Sequence, residues 1–141
     1  MQVKALYIKE EKKGKVKKIP KGFFQKDKGL MGDVKSQGGE KQVSIITSEG
    51  MEQIKSIQGL CTNRFYANIE IHGLDMDKLY RGQRLKIGNT LQEITILGKE
   101  CFRECNLYKS GPICPLPSNV FFTKVIEEGI IEVGHRVDIQ K

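Results

Sequence analysis

RLKIGNTLQEITILG, residues 84–98, is the stretch of the sequence that decides the fold. Two runs in which apolar and polar residues alternate flank the dipeptide Gly88-Asn89. Alternation with a period of two is typical of a half-buried β-strand, and a Gly-Asn pair between two such runs is typical of a tight hairpin turn. The stretch therefore predicts two antiparallel strands joined by a two-residue turn.

The same pattern recurs on both sides of this hairpin. Further strands are predicted around Val3, Ala5 and Tyr7, from Val43 to Thr47, along the face formed by Phe65, Ala67, Ile69 and Ile71, and in NVFFTKVIEEG and IIEVGHRVDIQ, with turns at Gly129 and Gly134. Ser48 precedes a short amphipathic run and is predicted to cap a helix that ends near Gly59.

Many short strands and few helices define the expected fold class. The 141 residues, with 15 glycines, suit one domain, residues 1–141, built as a mostly β, closed or nearly closed antiparallel β-barrel with one or two short helices.

The net charge of +7 is concentrated near the N-terminus. Residues 1–28 hold ten lysines against three acidic residues, whereas residues 29–141 hold fourteen basic and fourteen acidic residues. The excess predicts a basic hairpin tip or loop at about residues 9–28. Because no aromatic residue lies between Ile8 and Phe23 to stack a base, a solvated edge is favoured over a nucleic-acid site. An anionic ligand or an acidic partner stays open.

Four cysteines in a chain without a secretory-type N-terminus favour a cytoplasmic protein with reduced thiols. No run of apolar residues is long enough to predict a membrane span. His72 and His135 each adjoin a turn glycine and are predicted to be surface residues. The thiols are therefore the groups to which chemistry is assigned.

Three of these cysteines, Cys101, Cys105 and Cys114, lie in GKECFRECNLYKSGPICPLP, residues 98–117. Their spacing, with Cys61 far upstream, departs from the paired spacing of structural zinc sites, but a metal site stays open, as does ordinary packing. Lys99 and Arg103 flank Cys101 and would favour its thiolate. Cys101 is thus predicted to be a nucleophile or a soft-metal ligand at a strand end, with Cys105 and Cys114 as either a resolving thiol or further sulfur ligands.

Arg64 and Asn68 in NRFYANI are four residues apart, which places them on one face of a strand. Arginine binds phosphate or carboxylate through two parallel hydrogen bonds, and asparagine offers a donor and an acceptor. The pair is either a binding site or part of a solvent-facing polar stripe.

The order of the elements GLMGD, KQVSII, NRFYANI, LKIGNTLQEITILGKEC and CPLPSNVFFTKVIEEGIIEVG resembles the MOSC domain, the module related to the C-terminal part of molybdenum cofactor sulfurases. The similarity runs from about Gly29 to Ile139 and is greatest to compact stand-alone MOSC proteins. It implies a barrel related to that of pyruvate kinase. The stretch GDVKSQGG lacks the histidine that many relatives carry after this aspartate.

The resemblance also implies a chemistry. It makes Cys101 a sulfur carrier or a ligand to the molybdenum of the pterin cofactor (molybdopterin), and it places Arg64, Asn68, Lys99 and Arg103 around that cofactor. Pyridoxal phosphate is expected only in a partner cysteine desulfurase. The expected partners are such a desulfurase or a molybdoenzyme, as sulfur donor or acceptor.

Three functions follow as hypotheses. The first is a sulfur-transferring MOSC protein that binds molybdenum cofactor. The second is a small molybdenum-dependent reductase of N-hydroxylated compounds. The third is a non-catalytic, metal-stabilised interaction module.

Overall fold

A computed structural model describes residues 1–11, 14–34, 38–39, 42–55, 67–97 and 119–140. The strands are β1 (Gln2–Ile8), β2 (Lys17–Ile19), β3 (Lys21–Gln25), β4 (Gly29–Leu30), β5 (Val43–Thr47), β6 (Ile69–His72), β7 (Arg84–Ile87), β8 (Thr90–Leu97), β9 (Val120–Glu127), β10 (Gly129–Glu132) and β11 (Val137–Ile139). The helix α1 (Ser48–Lys55) follows β5, and a 3₁₀ turn (Met76–Lys78) follows β6.

Eight of these strands form one curled sheet in the order β11-β7-β8-β9-β5-β6-β1-β2. The predicted hairpin is confirmed, since β7 and β8 pair antiparallel with Ile87 opposite Thr90 and only Gly88 and Asn89 between them. Gly88 has a φ of 55°, the left-handed conformation that a two-residue hairpin turn requires. The alternation of side chains along β7 therefore matches the pattern on which the prediction rested.

The curled sheet nearly closes on itself. An isolated antiparallel bridge joins Gln2 to Arg136, just before β11. Three backbone hydrogen bonds reinforce this seam, from Val3 N to His135 O (2.8 Å), from Gly134 N to Val3 O (2.7 Å) and from Val137 N to Met1 O (3.1 Å). This contact between β1 and the chain at the start of β11, the strand at the far end of the sheet, confirms the prediction of a nearly closed barrel.

The sequence predicts a wholly antiparallel barrel, and this prediction is wrong for one pair of strands. β5 and β6 run parallel, with Ile45 opposite Ile69 and Thr47 opposite Ile71. Parallel neighbours need a crossover connection, and α1, which packs against both strands, belongs to it. A local pattern of alternation does not record strand direction, which explains the error.

The predicted basic loop at residues 9–28 contains regular structure. β2 pairs with β1, and β3 belongs to a second sheet in the order β10-β3-β4. A hydrogen bond connects this second sheet to the barrel. The backbone N–H of Lys9, just after β1, donates to Oδ1 of Asp33, just after β4, at 2.9 Å. The segment is therefore a hairpin followed by a strand rather than one long loop.

Both sheets contribute to one hydrophobic core. β3, β4 and β10 supply Phe24, Leu30 and Ile131, each at most 1% exposed, to the same cluster as the barrel residues Ile45, Ile69, Ile94, Phe121 and Val125. Ala67, Ile69 and Ile71 are buried as predicted, and Phe65 lies outside the described residues.

Two local details differ from the predicted pattern. A β-bulge between Val3 and Ala5 shifts the alternation, so that Leu6 is fully buried and Tyr7 is not. Gly129 is the first residue of β10, paired with Phe24, rather than part of a turn. The turn at Gly134 is confirmed, with a φ of 95°.

His72 is exposed at the end of β6, and His135 lies in a turn where its Nδ1 accepts a hydrogen bond from the backbone N–H of Glu132 at 3.0 Å. Both positions agree with the prediction of turn residues. Neither helix in the described part of the chain reaches the length and apolarity that a membrane span needs.

Candidate functional site

The predicted site residues fall mainly on two segments that the structure does not describe. Arg64 belongs to residues 56–66, and Lys99, Cys101, Arg103, Cys105 and Cys114 belong to residues 98–118. Cys61 is also outside the described residues. Asn68 is described, as are the points at which both segments join the barrel. These joining points define the candidate site.

The segment with three cysteines is attached to one end of the barrel. Its first flank is Leu97, the last residue of β8, and its second flank is Asn119, immediately before β9. Leu97 pairs with Phe121, and Val120 pairs with Ile46 near the end of β5. Both flanks therefore lie at the end of the barrel where β5 passes into α1, and the predicted position of Cys101 at this rim stays a prediction.

A hydrogen-bonded cluster fixes Asn119 to the first turn of α1. Thr47 Oγ1 donates to Asn119 Oδ1 at 2.9 Å and accepts from the backbone N–H of Gly50 at 3.0 Å. Thr47 thus caps the helix, and the predicted capping by Ser48 is wrong, because Ser48 Oγ is buried without a hydrogen-bond partner. Threonine and serine are both good N-caps, so adjacent candidates cannot be separated from sequence alone.

A cavity of about 360 Å³ opens beside this cluster. Its described lining consists of Thr47, Glu49, Gly73, Leu74, Asp75, Met76, Asp77 and Asn119. Asp75 also stabilises the 3₁₀ turn, since its Oδ1 accepts from the backbone N–H of Asp77 at 3.0 Å. Apart from Thr47 and Asn119, the polar side chains in this list are carboxylates, which attract N–H donors and repel phosphate.

The described lining of the cavity therefore suits the N–H groups of a pterin cofactor and does not suit its phosphate. Carboxylate oxygens accept hydrogen bonds from amino and ring N–H groups, which a pterin carries. A phosphate needs cations, and the described lining contains none. The predicted cations Arg64, Lys99 and Arg103 lie outside the described residues.

Asn68 is fully buried and hydrogen-bonded within the protein. Its Oδ1 accepts from the backbone N–H of Ser44 at 3.1 Å and from Ser44 Oγ at 3.2 Å, and its Nδ2 donates to Tyr7 O at 3.4 Å. The side-chain amide thus acts as an additional peptide group between β1 and β5. These hydrogen bonds give Asn68 a structural role.

Asn68 and the cavity lie at opposite ends of the β5–β6 pair. Asn68 neighbours Ser44 near the start of β5, whereas Thr47 and Gly73 line the cavity beyond the C-terminal ends of the two parallel strands. Thr47 lies three positions after Ser44 along β5, a distance of about 10 Å. The described residues therefore do not bring the Asn68 side chain into the cavity.

Glu70, two residues after Asn68, is a buried acidic group that the sequence analysis did not identify. It is 4% exposed. The Tyr7 hydroxyl donates to its Oε1 at 3.1 Å, and Lys4 Nζ lies 3.8 Å from its Oε2. Strand alternation places the Glu70 side chain on the sheet face opposite that of Ile69 and Ile71. In many two-layer folds such a face is exposed to solvent, but here the Glu70 side chain is buried.

This environment raises the pKa of Tyr7 from 10.0 to about 12, first through burial of the phenol and then through the charge of Glu70 and the hydrogen bond to it. Because the protonated phenol is favoured in the folded state, its stabilising contribution is complete below the unfolded pKa and is lost as the pH rises through the folded pKa.

We expect a phenolate titration, followed by ultraviolet absorbance, to contain a step near pH 12 that disappears in Tyr7→Phe. Glu70→Gln should move that step toward lower pH because it removes the carboxylate charge. Tyr80, which is 57% exposed, provides the matched control, and Tyr80→Phe should leave the step in place. A Tyr7 phenol that ionises together with exposed tyrosines would contradict the arrangement.

Among the residues that the structure describes, no three His, Cys, Asp or Glu side chains approach one another as a metal site would require. The predicted metal ligands Cys101, Cys105 and Cys114 are not among those residues. Their assignment stays a prediction.

No protein-family model matches the sequence, and no curated protein is similar to it at the level of sequence. Solved structures are similar in fold. YuaD from Bacillus subtilis has a TM-score of 0.70 at 18% identity, with 99% of this chain and 96% of YuaD covered. YiiM from Geobacillus stearothermophilus has a TM-score of 0.67 at 17% identity, with 99% and 75% covered.

YiiM from Escherichia coli has a TM-score of 0.64 at 13% identity, with 100% of this chain and 70% of that protein covered. A further similar structure is that of a hypothetical protein, of which the chain spans 66%. YuaD and YiiM are MOSC-domain proteins. The chain therefore has the MOSC fold, which confirms the fold implied by the sequence motifs.

Proposed function

We propose that this chain binds a molybdenum cofactor of the pterin type and carries or transfers sulfur through Cys101. The observation that carries the proposal is that Asn119, which directly follows the segment with three cysteines, lines the cavity, while Leu97, which precedes that segment, ends β8 at the same end of the barrel. The MOSC fold supports it. Sites built on strand ends and loops above a rigid barrel are a common arrangement.

Cationic and acidic residues would bind different parts of the cofactor. Arg64, Lys99 and Arg103 would hold the phosphate, since cations bind it by charge-assisted hydrogen bonds. Glu49 and Asp77 at the cavity would accept hydrogen bonds from N–H groups of the pterin. When bound, the cofactor would supply a soft metal that thiolate sulfur can ligate. Lys99 and Arg103 would keep Cys101 ionised by stabilising its negative charge.

The sulfur transfer needs no external oxidant. The Cys101 thiolate attacks the outer sulfur of a persulfide on the donor protein, and a new S–S bond forms. The S–S bond of the donor breaks, and the donor cysteine leaves as a thiolate that takes up a proton. The donor is a cysteine desulfurase, whose own pyridoxal phosphate generates the persulfide, and a molybdoenzyme is the acceptor.

Labelling tests this function directly. The purified protein is incubated with a cysteine desulfurase and radiolabelled cysteine, and protein-bound sulfur is measured before and after treatment with a reductant. We expect the reductant-sensitive label to be lost in Cys101→Ala and kept in Cys105→Ala and Cys114→Ala, because only Cys101 has a cation within two residues on each side. Equal labelling of Cys101→Ala and wild type would refute the assignment of Cys101.

Cofactor binding has a separate measurement. A denaturing extract of freshly purified protein is examined for the fluorescence of oxidised pterin and for molybdenum and zinc. Pterin with molybdenum supports the proposed function. Stoichiometric zinc without pterin would instead support a metal-stabilised interaction module.

A further inference from the structure

The second sheet carries three apolar side chains on the face that points away from the core. Phe23 in β3 lies opposite Ile130 in β10, and the backbone N–H of Met31, just after β4, donates to Phe23 O at 2.8 Å. A chain neighbour of each of these residues is buried in the core, so strand alternation places the three side chains on the outer face. They are named the apolar row below.

The apolar row is continuous across the sheet and accessible to solvent. Met31 is 57% exposed and Ile130 is 42% exposed, with the partly exposed Phe23 between them. Adjacent strands lie about 4.8 Å apart, so the three side chains are close enough to form one patch. Single exposed apolar residues are normal on a protein surface, whereas contiguous ones mark sites of interaction.

Two opposite charges lie beside the apolar row and indicate which partner it suits. Lys21 in β3 pairs with Glu132 in β10, two residues along each strand from Phe23 and Ile130, so that these four side chains share the outer face. Lys21 and Glu132 are both exposed. Among the residues that the structure describes, neither side chain takes part in an ion pair. The face therefore offers a positive charge on β3 and a negative charge on β10.

This pattern of charge and apolar surface is complementary to itself. A twofold axis parallel to the strands, between β3 and β10, would lay β3 of one copy over β10 of a second copy. Phe23 would then face Ile130 of the second copy, Lys21 would face Glu132 of the second copy, and each contact would occur twice. Such paired contacts define the isologous interface of a closed dimer. A partner of uniform charge would match only one of the two charges.

The contact would leave the cavity open. The turn after β3 is bonded to β9, since the backbone N–H of Asp27 donates to Val125 O at 3.2 Å. Val125 lies six positions after Asn119, about 20 Å further along β9. Asn119 lines the cavity, so the second sheet is attached to the barrel away from the cavity.

We propose that two copies of this chain associate face to face through the apolar row. The inference is independent of the proposed sulfur chemistry. The outer face is three strands wide and five residues long in β3, an outline of about 250 Å². Each partner in a stable complex buries about 800 Å². The dimer is therefore weak and reversible, with a dissociation constant on the order of 100 µM.

Sedimentation equilibrium between about 10 µM and 1 mM protein measures the association. We expect Ile130→Ser to raise the dissociation constant at least about tenfold, because a symmetric contact contains each substitution twice. Val16→Ser is the matched control. Val16 is 43% exposed, lies between β1 and β2 rather than in the second sheet, and should leave the dissociation constant unchanged. Unfolding midpoints are measured for both variants to show that they fold.

A charge exchange tests the symmetry of the contact. Glu132→Lys would place a lysine against Lys21 of the second copy and should weaken the dimer. Adding Lys21→Glu returns the net charge to that of the wild type and restores opposite charges across the contact, so the double variant should recover the wild-type dissociation constant.

A wild-type chain that stays monomeric at 1 mM would overturn the proposal. A dimer that Ile130→Ser leaves intact, or a charge exchange without recovery, would overturn it as well, because the contact would then lie elsewhere. Binding of a monomeric chain to phosphatidylcholine vesicles, lost in Ile130→Ser, would assign the apolar row to a lipid surface instead. The measurement involves neither cofactor nor sulfur donor, so its outcome is separate from that of the proposed function.

Discussion

Replacement of Gly29 by alanine is expected to destabilise the fold by about 3–5 kcal/mol. Gly29 has a φ of 116°, which an alanine adopts only with strain, and its added Cβ would lie 2.3 Å from the carbonyl oxygen of Gln42. The clashing atom is backbone next to β5, so it cannot move away as a flexible side chain would. Urea unfolding of the variant, followed by circular dichroism, measures the loss.

Gly82→Ala separates the effect of backbone strain from the effect of the steric clash. Gly82 has a φ of 90°, but no atom outside its immediate neighbours lies within 4 Å of an added Cβ. The free energy of unfolding of this variant should fall only by the strain of the backbone conformation, about 1 kcal/mol. If both variants lose the same free energy of unfolding, the close approach of Gly29 to Gln42 is wrong.

Gly50→Ala should be destabilising although it lies in a helix. Alanine normally stabilises a helix by about 1 kcal/mol relative to glycine. Here the added Cβ would lie 2.4 Å from the Cβ of Asn119 and 2.9 Å from its Cγ. We expect a net loss of about 2 kcal/mol, together with displacement of Asn119 from the cavity wall. Chemical denaturation gives the free energy.

The partner variant provides the control. Asn119→Gly alone should cost stability because Thr47 Oγ1 loses its hydrogen-bond acceptor. Adding Gly50→Ala to that variant should restore part of the loss, since the obstructing Cβ is then absent and the helix preference remains. A Gly50→Ala protein as stable as wild type, or two losses that simply add, would contradict the packing of Asn119 on α1.

The parts of the fold that local patterns determine were predictable. The hairpin of β7 and β8 depends on alternation and on a two-residue turn, and both are properties of fifteen consecutive residues. The parallel pairing of β5 with β6 was not predictable in the same way, because alternation is identical in both directions and the crossover is a long-range arrangement. The bulge after Val3 was missed for a related reason, since it appears only against the partner strand.

The site was predictable to a smaller extent. Chain order placed Cys101 after the end of β8, and the structure agrees for the flanking residue Leu97. The role of Asn68 was not predictable, because its partners Ser44 and Tyr7 are 24 and 61 positions away. Glu70 was missed because its burial depends on what covers that face of the sheet. The acidic cavity lining combines residues from α1, the loop after β6 and the approach to β9.

The seam that closes the barrel has a consequence for biosynthesis. It joins residues 1–3 to residues 134–137, so that barrel closure must wait until residues 134–137 have left the ribosome. Until then the early hairpin presents an open strand edge to the surroundings, a state in which nascent β-proteins are prone to associate. The lysines of that hairpin repel other copies during this interval, which gives the charge a use before the protein has completed its fold.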